Sequence, residues 1–119
     1  MRRHALAAAI AEAVLRDQRL VVVDISKGDA YVDKRFATGA QLTSLDTRLS
    51  ALDLEHEIRQ TVEADVADAV HAVVRDVDAT LLVIGLRRRT PVGKMLMGSV
   101  AQRLLLKAPC PVLAVQWST

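Results

Sequence analysis

Gly85-Leu86-Arg87-Arg88-Arg89-Thr90-Pro91-Val92-Gly93-Lys94-Met95-Leu96-Met97-Gly98-Ser99 is the stretch on which the reading of this chain turns. The apolar run Leu81-Leu82-Val83-Ile84 leads into it, and a helical pattern from Val100 to Ala108 leaves it. A strand ending on glycine, a basic loop with glycines, and a Gly-Ser pair opening a helix form the layout of an anion site. Glycine lets backbone approach a ligand closely. The first N–H groups of a helix have no internal partner and attract negative charge. A phosphate is the first ligand to consider. The same residues also fit a strand-to-helix turn without a ligand, in which Ser99 is the N-cap and Ser99 with Gln102 forms an S-x-x-Q capping box. The loop is not a P-loop, since no Lys-Ser or Lys-Thr follows its second glycine, and it is not G-x-G-x-x-G.

Outward from this stretch, helical and extended patterns alternate. Arg3 to Asp17 reads as a helix, with Leu6, Ile10, Ala13 and Val14 at helical spacing. Leu20 to Ile25 is a continuous valine-rich run, as expected of a strand covered on both faces. Ser26 to Arg35 reads as a loop and Phe36 to Ala51 as a helix. Leu54, His56 and Ile58 alternate with Glu55, Glu57 and Arg59, the period of a half-exposed strand at a sheet edge. Val62, Val66, Ala69, Val70, Val73 and Val77 fall on one face of a long helix. Leu81 to Ile84 reads as a buried strand. Ala101, Leu104, Leu105 and Ala108 line a last helix that Pro109 stops, and Val112 to Val115 is the final strand. The alternation predicts an α/β fold, an open parallel sheet of about four strands with helices on both faces. It is expected to form a single domain over residues 1–119. In such sheets ligands bind beyond the carboxyl ends of the strands, and the Gly85 loop leaves such an end. Asp24 faces the same end, where its expected role is a structural hydrogen bond.

Composition narrows the chemistry. The chain has 119 residues, 51% of them hydrophobic but only 3% aromatic, so its core is built from Val, Leu, Ile and Ala. Base stacking on aromatic platforms has few candidates, and nucleic acid is not an expected partner. The net charge of +2 is unevenly spread. Asp46 to Asp78 carries nine acids against three bases, whereas Ala79 to Thr119 carries six bases and no acid. The C-terminal third therefore attracts anions wherever it folds. The lone Cys110, between two prolines, allows no internal disulfide and fits a reducing compartment; packing is its expected role. His4, His56 and His71 lack metal-ligand spacing, and His56 reads as packed or solvated. Ser99 has no G-x-S-x-G context. No catalytic residue and no metal site is expected. Met1-Arg2-Arg3 followed by Ala5 to Ala11 has the outline of a signal peptide, but Glu12 sits inside the would-be cleavage site, and an amphipathic helix fits better. No run approaches the ~18 apolar residues of a membrane span.

Gly85, Gly98-Ser99 and the closing Ala108-Pro109-Cys110-Pro111-Val112-Leu113-Ala114-Val115 resemble the universal stress protein family. That family carries G-x2-G-x9-G-[S/T] after its fourth strand and an "APCPVLVV"-like last strand. Gly85, Gly98 and Ser99 sit at matching spacings; the middle glycine is replaced by Arg88. The resemblance is strong from Leu81 to Val115 and poor between Ser26 and Leu52. Family members open with a strand ending in an Asp that contacts the adenine end of ATP, and that strand lies in the middle of the sheet. Here Met1-Arg2-Arg3-His4 runs directly into the first helix. A truncated chain, a misplaced start codon and a variant that repairs the gap another way all remain open. Such a gap would leave unpaired N–H and C=O groups on the strands beside it. They would pair directly, a partner chain would fill the space, or the fold would be marginal.

The resemblance implies a cytoplasmic, non-catalytic stress-response protein that works as a homodimer through Val112 to Val115, with a protein partner it does not identify. It also implies ATP as a ligand, its triphosphate against Gly85, Arg88, Gly93, Gly98, Ser99 and Val100. Backbone N–H groups of Ser99 and Val100 and the Ser99 hydroxyl would hold phosphate oxygens. The alternative is a dimeric interaction module that binds no nucleotide. Arg87-Arg88-Arg89 fits a phosphate clamp, a nucleic-acid backbone contact, or a solvated loop. Arg88 also places a side chain where the family brings backbone close to phosphate.

Overall fold

The computed structural model describes residues 3–26, 37–88 and 98–118. Helices and strands alternate as α1 (Arg3–Arg16), β1 (Leu20–Ser26), α2 (Gly39–Ala51), β2 (His56–Val62), α3 (Val66–Asp76), β3 (Leu82–Arg88), α4 (Ser99–Lys107) and β4 (Val112–Ser118). The expected α/β class with parallel strands is the one found. The chain divides into two compact units, Ile10–Val66 and Met1–Ala9 with Ala67–Thr119.

In the first unit β1 pairs in parallel with β2, from Leu20 opposite His56 to Ser26 opposite Val62. The Leu20 N–H donates to Glu55 O and the Glu63 N–H to Ser26 O. Leu20, Val22, Asp24 and Ser26 thus direct their backbone groups to β2, and Val21, Val23 and Ile25 direct theirs to the opposite edge. Between these strands runs α2, whose Leu49 is 0% exposed. Its N-terminus is set by a complete capping box. The Gln41 N–H donates to Thr38 Oγ1 at 3.2 Å and the Thr38 N–H to Gln41 Oε1 at 2.8 Å. The helix therefore begins at Gly39, later than Phe36; Phe36 itself and the expected loop over 27–35 lie outside the described residues.

In the second unit β3 pairs in parallel with β4, from Leu82 opposite Val112 to Arg88 opposite Ser118. Ala67, Ile84, Leu86 and Leu104 form its buried cluster, with Val70, Val100 and Ala114 packed against it. Asp68 on α3 and Arg103 on α4 pair at 2.7 Å. His71 is 5% exposed, and its Nε2 has no hydrogen-bond partner among the described residues. Each ladder has two strands, and among the described residues neither has a third.

Four expected boundaries shift. Val62 belongs to β2, opposite Ser26, rather than to the helix. Val77 follows the last turn of α3 and Ala108 is the C-cap of α4. The strand expected to end at Ile84 runs through Gly85 to Arg88, because the hydrogen-bonded ladder with β4 continues past the glycine.

Three helices end in the same way. Asp17, Asp53 and Asp78 have φ of 52°, 53° and 53°. After α2 the Asp53 N–H reaches Ser50 O at 3.0 Å and the Leu54 N–H reaches Leu49 O at 3.3 Å. The same pair of bonds follows α1 at Asp17 and Gln18, and α3 at Asp78 and Ala79. This is the Schellman arrangement, whose left-handed position usually belongs to glycine. Aspartate tolerates that region better than most side chains but still carries steric cost. Asp53→Gly is expected to raise stability by about 0.5–1 kcal/mol once the added freedom of the unfolded chain is subtracted. Asp53→Val is expected to lower it by about 1–2 kcal/mol. Urea denaturation of the two variants checks both signs.

Candidate functional site

The end of β3 and the start of α4 are brought together by the packing of the second unit. Leu86, near the end of β3, is 6% exposed, and Val100, in the first turn of α4, packs against the same cluster. Burial of these side chains sets the start of α4 beside the carboxyl half of β3. Gly85 lies within β3, opposite Val115, and Arg88 closes the strand opposite Ser118. Arg87 is also on β3; Gly93 and Arg89 lie outside the described residues.

The expected N-cap is one residue off. Gly98 has extended backbone (φ −67°, ψ 163°), and its carbonyl accepts the first helical bond from the Gln102 N–H at 3.0 Å. Gly98 is therefore the N-cap, and Ser99, already inside the first turn, forms no capping box. Among the described residues no side chain caps α4. The first N–H groups of a helix have no intrahelical acceptor. Gly98 and Ser99 are exposed, and α4 has no acid in its first turn. A Cβ built on Gly98 would meet nothing within 4 Å. Among the described residues the glycine is thus not demanded by φ or by crowding. The N-terminus of such a helix favours an anion.

A second polar cluster lies at the carboxyl half of β1. Asp24 is 5% exposed. Its Oδ2 accepts from the Ala37 N–H at 2.8 Å and from Gln60 Nε2 at 3.1 Å. Gln60 Nε2 also donates to Ala37 O at 2.8 Å. Asp24 and Gln60 are register partners, so together they grip both polar groups of Ala37, immediately before the cap of α2. The structural role expected of Asp24 is the one found; Gln60 and Ala37 were not foreseeable without the strand register. Cys110 is half-buried, and burial pushes its thiol up, while a hydrogen bond with the Leu82 backbone acts the other way. Among the described residues no group of three or more His, Cys, Asp and Glu side chains is placed to hold a metal. No helix among them is long and apolar enough to cross a membrane.

A sequence model described as the universal stress protein family matches residues 2–116. A universal stress protein of Mycolicibacterium smegmatis is 47% identical over 114 residues, covering 96% of this chain and 88% of the relative. Among solved structures, the universal stress protein from Archaeoglobus fulgidus is similar with a TM-score of 0.74 at 30% identity, over 94% of this chain and 86% of that one. The A. fulgidus protein in complex with dAMP gives a TM-score of 0.58 at 25% identity, over 94% and 85%. A family member from Burkholderia pseudomallei gives 0.61 at 27% identity, over 95% and 85%.

Removing the buried acceptor tests the second cluster. Asp24→Ala strips a charged hydrogen-bond acceptor from the Ala37 N–H and from Gln60, and is expected to cost about 2–3 kcal/mol. The loss is read from the urea midpoint of the full chain.

Proposed function

The chain belongs to the universal stress protein family, and we propose that it works in the stress response by binding an adenine nucleotide between the end of β3 and the start of α4. The reading rests on one observation: α4 opens on Gly98-Ser99 with no side-chain cap among the described residues, beside the carboxyl half of β3, in a segment without acids. The relative solved with dAMP supports this ligand class. In the proposed complex the polyphosphate of ATP lies against Gly85, Arg88, Gly93, Gly98, Ser99 and Val100. The N–H groups of Ser99 and Val100 donate to phosphate oxygens. The Ser99 hydroxyl, not engaged in a cap, adds a further contact. The proposed role is binding rather than catalysis, in the cytoplasm; sustained release of ADP by the pure chain would overturn it.

Calorimetric titration of ATP against the full chain is the test. A micromolar dissociation constant that survives moderate salt is expected, weakened about tenfold by Ser99→Ala, the worth of one hydrogen bond of about 1.4 kcal/mol. Affinity that vanishes with salt would mean only that a basic segment attracts anions. One observation favours the second reading, a dimeric interaction module without nucleotide: Arg88 stands where the family pattern has glycine. If its side chain obstructs the site, Arg88→Gly tightens ATP binding. A folded chain that binds no ATP in either form would support the module.

Both readings include a homodimer through β4. The Leu82 N–H donates to Pro111 O, so the backbone groups of Val112, Ala114 and Gln116 point away from β3. A second copy of β4 paired there would form a two-fold interface. Light scattering is expected to give a dimer, and Ala114→Pro a monomer. That substitution removes an N–H the ladder with β3 does not use.

A further inference from the structure

His56 opens β2 with both ring nitrogens engaged. Nδ1 lies 2.7 Å from the Leu54 carbonyl oxygen, and Nε2 lies 2.7 Å from Oδ1 of Asp46 on α2. The His56 side chain is 12% exposed and that of Asp46 62%. A peptide carbonyl only accepts hydrogen bonds, and so does an ionised carboxylate. This arrangement is satisfied at both nitrogens only when each carries a proton, that is, when the ring is an imidazolium. A neutral imidazole has one N–H and one lone pair. In either tautomer the lone pair would face an oxygen at hydrogen-bonding distance.

We propose that His56 is a pH-operated latch between α2 and the start of β2, fastened while its ring is charged and released when the ring loses a proton. Release costs the bond to Asp46 first. The Leu54 carbonyl is only two residues away along the chain and stays within reach of Nδ1–H, whereas the exposed Asp46 carboxylate exchanges its partner for water. The helix is then held at its other end, where Asp24 and Gln60 grip Ala37 before the Thr38 cap.

The charged surroundings fit this assignment. On β2, Glu57 and Arg59 alternate onto the other face. There Arg59 Nε meets Glu57 Oε1 at 2.5 Å, and Arg19 Nη1 lies 3.7 Å from Glu57 Oε2. The β1 residue opposite His56 is the apolar Leu20, and α2 brings Asp46. The His56 pKa is raised above its ordinary 6.5, first by the Leu54 carbonyl and next by the hydrogen bond to Asp46; burial acts the other way, and the Asp46 charge adds in the raising sense. A folded value above the unfolded one means that the latch stabilises fully below the unfolded pKa. Its contribution is lost as pH rises through the folded value.

NMR titration of the ring nitrogens in the full chain tests the latch, with His4 and His71 resolved alongside. The expected His56 midpoint lies above 6.5, with two ring N–H signals below it, and moves down in Asp46→Asn. Urea unfolding across the same range gives the second readout. The midpoint concentration falls as pH rises through the His56 titration, and this step is absent in His56→Gln. A His56 midpoint at or below the ordinary value, an unchanged midpoint in Asp46→Asn, or the same pH step in His56→Gln would each overturn the proposal.

Discussion

The register of the two parallel ladders is the constraint on which the other contacts depend. A parallel strand bonds to one neighbour through every second residue, so a single alignment decides which side chains meet. Leu20 opposite His56 makes Asp24 the partner of Gln60. Those two side chains grip Ala37, Ala37 precedes the cap of α2, and α2 carries Asp46 to the ring of His56. A slip of one residue would turn Asp24 to the opposite face and dissolve the whole series. In the second unit, Leu82 opposite Val112 carries the ladder through Gly85 to Arg88 and brings Leu86 into the cluster that seats α4.

Backbone groups also have a direction that side-chain chemistry does not reveal. β1 is valine-rich, without proline, lysine or bulge, the make-up of an interior strand. β2, with His56, Glu57 and Arg59, has the make-up of an edge. Yet Val21, Val23 and Ile25 direct their N–H and C=O groups to a side where, among the described residues, no third strand pairs.

Much of the fold was legible because it depends on local pattern. The apolar runs of β1 and β3, the alternation of β2 and the proline after α4 each speak for themselves. Valine was the weak point. Val62 and Val66 share helical spacing with Val70, but valine suits strands equally, and only the pairing of Val62 with Ser26 separates the two. Capping misled for a similar reason. Thr38-x-x-Gln41 and Ser99-x-x-Gln102 are the same pattern, yet only the first forms a box. At the second, Gly98 takes the extended cap conformation and draws the serine into the helix. At the candidate site, the glycine-serine spacing marked the opening of α4, with the cap on Gly98 rather than on Ser99. The Asp24–Gln60–Ala37 grip and the His56–Asp46 contact were not, since each joins residues that sequence separates by ten or more positions.

The left-handed aspartates fix the length of the connections as well as their direction. From Asp17 to Leu20 and from Asp53 to His56 the chain advances by the same three residues, and from Asp78 to Leu82 by four. Each connection therefore transmits the rotational phase of a helix to the inside-outside phase of the strand after it. An inserted or deleted residue there would invert the following strand, sending Asp24 or Ile84 to the wrong face. Over evolutionary time these three junctions are places where residues can be exchanged but not counted differently, so length variation in related chains should collect in other connections.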